Sequence, residues 1–167
     1  VLICTQILAK ILFANEFYLA WKYVPLLLVA AAVGSQEEYM GTYYLADNRT
    51  NKYFISSVIG AGINILMNLT LIPFFSVWGA TSATLISYLI VFFQRAIDMR
   101  KKLGVDILIL KNITSIFILT IQAITFVLLD SYRYLCSILC IFALMALFFP
   151  EIMQMLKIIK DKILSRH

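Results

Sequence analysis

An all-α, polytopic integral membrane protein is the fold class this sequence predicts, and three observations predict it. Hydrophobic residues make up 62% of the 167 positions and charged residues only 14%, against about 45–50% and about 25% in soluble domains. The apolar residues fall in runs of bilayer length between short polar turns, and a helix satisfies its own backbone hydrogen bonds there. The basic residues crowd some turns and avoid others. A net charge of +5 therefore reads as membrane topology rather than as a nucleic-acid surface.

Val1 to Leu12 is apolar but shorter than the roughly 20 residues a span needs, so it reads as the end of a truncated helix. With no initiator Met and no signal-peptide n-region, the sequence is expected to be the C-terminal piece of a longer protein. Phe17, Tyr18, Trp21 and Tyr23 form an interfacial aromatic belt. Pro25 suits the first turn of the next helix, which runs to about Ala46 and turns polar at Gly34, Ser35, Gln36, Glu37 and Glu38. Asp47 to Lys52 is a polar turn. Helices are then expected over about Tyr53–Phe75 and about Gly79–Ile97, with further spans over Ile107–Leu129 and Tyr134–Phe149. Pro150 marks an end or a kink. The remainder places Ile152, Leu156, Ile159 and Ile163 on one helical face and Lys157, Lys160, Lys162 and Arg166 elsewhere, the pattern of a helix lying on an anionic membrane. These readings give five complete spans and one partial.

Alternate turns then divide the cations. Arg49, Lys52, Arg95, Arg100, Lys101, Lys102, Lys111, Lys157, Lys160, Lys162 and Arg166 fall on one side, and Lys10, Lys22 and Arg133 on the other. Eleven against three makes the first side, with the C-terminus, cytoplasmic.

The chain is organised around residues 60–88. Asn64 and Asn68 lie four apart and share a helix face with Gly60. Amides are costly in hydrocarbon, so that face looks into protein or a wet cavity. A short hairpin with Pro73, Ser76 and Gly79 follows, and then Ala80, Ala83, Thr84 and Ser87 repeat small side chains that allow close helix contact. The positions Asn64, Asn68, Leu71, Ile72, Pro73, Gly79, Ala80, Ala83, Thr84, Ser87 and Tyr88 resemble the C-terminal-half signature of bacterial polysaccharide and O-antigen flippases, members of the multidrug/oligosaccharidyl-lipid/polysaccharide exporter superfamily. Phe17 to Leu27 resembles the family's aromatic segment more weakly. Ser76 stands where the family usually has glycine, and Thr81 replaces its second alanine.

The resemblance implies the C-terminal helical lobe of a two-lobe exporter fold in the bacterial cytoplasmic (inner) membrane. On that implication residues 1–104 are the lobe's transmembrane helices, 105–150 an extra C-terminal helix pair, and 151–167 a basic amphipathic cytoplasmic tail. It also implies alternating-access transport of an undecaprenyl-diphosphate-linked oligosaccharide, with the N-terminal lobe of the same chain and membrane lipid as partners. No cofactor is implied, although a proton or cation gradient is a natural drive.

Among site residues, Glu37 and Glu38 are costly at bilayer depth, about 2.5–3.5 kcal/mol each on insertion scales, and read as transport-cavity candidates. The alternative is a neutral buried carboxyl or a solvated break at Gly34. Asn64 and Asn68 are cavity candidates too, although interhelical hydrogen bonding explains them better. Pro73, Gly79, Ala80, Ala83, Thr84 and Ser87 read as hairpin and packing residues. Cys136 and Cys140 share a helix face without a further ligand nearby and read as apolar packing. A multidrug or cation antiporter of the same superfamily is the nearest alternative. A membrane-embedded sugar polymerase or acyltransferase is disfavoured, because no His, Arg or Asp constellation gathers at a loop.

Overall fold

A computed structural model of the chain describes residues 20–103, 106–128 and 132–164. Four helices make it up: α1 (Val24–Ala46), α2 (Thr50–Leu103), α3 (Asp106–Leu128) and α4 (Arg133–Leu164). Three of them, α2, α3 and α4, are long and apolar enough to cross a membrane. The fold is all-α, as expected. The partial helix over residues 1–12, and Phe17 and Tyr18 of the aromatic belt, lie outside the described residues.

α1 carries Pro25 near its start, where the missing N–H costs no helical hydrogen bond. It ends on Asn48 in the left-handed conformation (φ 56°), with Asn48 N donating to Leu45 O and Arg49 N to Tyr44 O. These two bonds cap the free carbonyls of the last turn, and asparagine is among the residues that tolerate this backbone. The helix is long enough to span, but it is not among those apolar enough to do so unaided. The cause is the polar run from Gly34 to Glu38, and α1 is instead wrapped by α2 and α3.

α2 is a hairpin. Its helical backbone is broken at Ser76 (φ 49°, ψ −123°), a left-handed conformation that glycine adopts without strain and other residues do not. The arms, 50–75 and 77–103, lie antiparallel. Lys52 meets Asp98, Ser56 meets Arg95, a Cβ on Gly60 would touch Val91, and Asn64 meets Ser87, at steps of about four residues. Each arm of about 26 residues reaches about 39 Å, enough to cross a hydrocarbon core of about 30 Å. At the bend a Cβ on Gly79 would collide with the Leu71 carbonyl oxygen, so only glycine lets the arms approach there. Ala83 and Ser87 are buried on the seam, and Ala80 and Thr84 are half-buried beside it. The expected helix over 79–97 therefore begins earlier, at 77, and continues to 103.

α3 runs antiparallel to α1. Gln36 Nε2 donates to Ser115 Oγ at 3.2 Å, and Trp21 packs edge-on against Phe126 with ring centroids 6.4 Å apart. The main core joins Val33 and Met40 of α1, Phe92 and Ala96 of α2, and Ile116 of α3. The 47–49 turn, the open ends of the hairpin and the start of α3 thus share one end of the bundle, the end that carries Arg49, Lys52, Lys101 and Lys111. The alternation of basic turns is reproduced in space.

α4 is one continuous helix through Pro150, so of the two expectations for that proline the helix end is absent. Lys111 of α3 pairs with Glu151 of α4. The apolar segment extends to Ile159, past the point at which a separate surface helix was expected to begin.

Two substitutions test the bend. Ser76→Gly should stabilise the protein by about 1 kcal/mol by removing the penalty of a positive φ. Gly79→Ala should lower its abundance in membranes, because the methyl meets backbone and not a flexible side chain. Melting of the purified protein in detergent reads the first, and quantitative blotting of membranes reads the second.

Candidate functional site: a buried arginine and two carboxylates

The four-residue periodicity that places Ser87 on the seam carries on through Val91 to Arg95. Arg95 is consequently not a loop cation. It is 1% exposed, the largest fully buried side chain among the described residues. Without it the charge asymmetry becomes ten against three, which leaves the orientation argument its sign.

Every nitrogen of its guanidinium has a partner. Nε donates to Ser56 Oγ at 3.0 Å, Nη2 to Ser57 Oγ at 2.9 Å and Nη1 to the Glu37 carbonyl oxygen at 2.8 Å. Nη1 also lies 2.6 Å from Glu37 Oε2 and 3.6 Å from Glu38 Oε2. Glu37 Oε2 makes no aligned hydrogen bond, so its link to Arg95 is a charge contact and the carbonyl takes the directional bond. The guanidinium also stands 4.9 Å from the centroid of the Tyr53 ring, a cation–π distance. Space for this stack comes from Gly41, where a Cβ would lie 2.6 Å from Nη1 and 2.7 Å from the Tyr53 ring.

One side chain thus ties α1 to both arms of the hairpin. The two carboxylates do have different surroundings, as their angular separation on a helix implies. Glu37 is buried on Arg95. Glu38 has a side chain 56% exposed and accepts a hydrogen bond from Tyr53 Oη at 2.5 Å. The cluster sits nearer one end of the bundle than the middle, since Ser56 is only six residues, about 9 Å, into its arm. Neither carboxylate lines the cavity lying between the open ends of the hairpin arms.

Asn64 Nδ2 donates across the hairpin to Ser87 Oγ at 3.1 Å, and Asn68 Nδ2 donates to Asn64 Oδ1 at 2.9 Å. Asn64 thus bonds across the seam, while Asn68 bonds within its own arm and supports the Asn64 amide. Pro73 lies inside the first arm three residues before the break, and Thr84 Oγ1 donates to its own helix at Ala80 O. No group of three or more metal-ligating side chains occurs among the described residues.

The chain matches no family model, no curated protein and no solved structure.

Sequence reasoning found both glutamates and both asparagines but missed Arg95, Ser56, Ser57, Tyr53 and Gly41. Proximity to Arg100, Lys101 and Lys102 made Arg95 look like part of a basic loop. Its spacing from Ser87 and Val91 was the available signal. Removing one member of a buried ion pair typically costs about 3–5 kcal/mol. Arg95→Leu should therefore sharply lower the abundance and melting temperature of the protein. Combining it with Glu37→Leu should recover part of that loss, giving a coupling of about 0.5–3 kcal/mol in a double-mutant cycle.

Proposed function

We propose that this chain is part of an exporter that carries a lipid-linked oligosaccharide across the cytoplasmic membrane by alternating access. The observation that carries the reading is a polar strip on the open face of α1. Ser35, Glu38, Tyr39 and Thr42 are all exposed there, at spacings of three and four residues. The outer faces of α2, α3 and α4 are instead studded with exposed Phe, Ile and Leu. A half-exposed carboxylate facing hydrocarbon is unfavourable, so the strip suits a water-filled route or a polar partner surface. Of the flippase-like signature, Asn64, Gly79, Ala83 and Ser87 lie on the seam that closes the hairpin.

On this reading the cavity role belongs to Glu38, while Glu37, Asn64 and Asn68 hold the packing. Two carboxylates about a single arginine leave the strip's electrostatics negative, which suits uncharged sugar hydroxyls better than the diphosphate. The same carboxylates are the specific point in favour of a cation-coupled multidrug antiporter.

Depletion of the protein from a producing cell separates the two. The flippase reading expects lipid-linked oligosaccharide to accumulate on the cytoplasmic leaflet while surface polysaccharide falls. Unchanged polysaccharide with loss of drug or cation efflux would favour the antiporter. Glu38→Gln and Tyr39→Ala should keep protein abundance and impair export, whereas Glu37→Gln should act first on abundance. Normal export from Glu38→Gln and Tyr39→Ala would remove the strip from the transport route.

A further inference from the structure

Between the open ends of the hairpin arms lies a groove of about 440 Å³, walled by Lys52 and Ile55 of the first arm and Gln94, Ile97, Asp98 and Lys101 of the second. That volume falls within the range of small-molecule pockets, about 300–1,000 Å³. Its composition is graded along the membrane normal. Lys52 and Lys101 sit at the two ends of the 50–101 apolar stretch, the level of the headgroups. Ile55 and Ile97 lie about one turn further in, 54% and 55% exposed, at the start of the hydrocarbon.

The cations are not used up by the fold. Lys52 Nζ stands 3.4 Å from both Asp98 oxygens, a loose pair whose lysine side chain is 51% exposed, and Lys101 is exposed beside it. Two lysines against one aspartate leave the groove net positive. A soluble anion would gain nothing from the isoleucine walls, and a neutral lipid nothing from the lysines.

We propose that this groove binds an anionic phospholipid, its headgroup phosphate on Lys52 and Lys101 and an acyl chain along Ile55 and Ile97. The groove adjoins the Arg95 cluster at Ser56, which lines it and accepts from Arg95 Nε, but it holds neither glutamate and does not depend on the transport reading.

The test is native mass spectrometry of the whole encoded chain released from mixed phosphatidylglycerol and phosphatidylcholine micelles. The wild type should retain phosphatidylglycerol in preference to phosphatidylcholine. Lys52→Gln/Lys101→Gln should lower the retained fraction roughly tenfold or more, the worth of two lysines at a membrane surface. Ile97→Trp, which fills the groove and keeps every charge, should lower it comparably, while Arg49→Gln outside the groove should not. An equal loss with Arg49→Gln would mean diffuse attraction to any cation and would overturn the site. So would undiminished binding in the correctly folded Ile97→Trp protein, or equally effective displacement of phosphatidylglycerol by inorganic phosphate.

Discussion

A reversal of the chain at one residue, Ser76, sets the geometry on which everything else depends. It folds 54 residues of helix into two bilayer-length arms and so determines which side chains meet. Asn64 reaches Ser87, Gly60 admits Val91, and Ser56 and Ser57 reach Arg95 only because the arms turn back at that point. A seam of small residues lets the backbones close, which in a membrane replaces the hydrophobic drive that lipid does not supply. Serine at a backbone position that favours glycine means that the turn is held by the seam rather than by its own preference.

The buried guanidinium then fixes the third helix. A charge inside a low-dielectric bundle is tolerated only when every donor is used, and Arg95 uses its nitrogens on two serines, a carbonyl and a carboxylate. Arginine suits this place because its planar fork addresses three helical segments at once, which the single ammonium of lysine does not. Gly41 belongs to the same design, since any side chain there would displace the fork or the tyrosine beneath it. The network works through register: it accepts one alignment of α1 against the hairpin and leaves charges unpaired in others. A hairpin and a helix locked in this way are held in a single register.

Much of this was legible in the residues. Apolar run lengths located the helices, Pro73 and Gly79 located the bend, and the four-residue spacing of Asn64 and Asn68 put them on the packed face. Arg95 was not legible from its neighbours, because a cation so close to a basic cluster looks like one of its members until its helical phase is followed. Helix geometry alone sets Glu37 and Glu38 apart, but only the structure shows which of them faces the hairpin and which faces outward. The continuation of α4 through Pro150 was hidden for a similar reason. Proline signals a break, but membrane helices can carry one in their interior, and the Lys111–Glu151 pair lies directly beyond it.

The closed hairpin is the central claim, and proximity across its seam tests it most directly. Asn64→Cys and Ser87→Cys would be introduced together into the whole encoded chain with Cys4, Cys136 and Cys140 replaced by serine. In native membranes a short bifunctional thiol reagent should join the pair within one chain in high yield. An unbroken helix would hold the two positions about 35 Å apart, far beyond the reagent's reach. Absence of the crosslink, with both cysteines labelled singly by the same chemistry, would contradict the hairpin and with it the Arg95 network that the hairpin assembles.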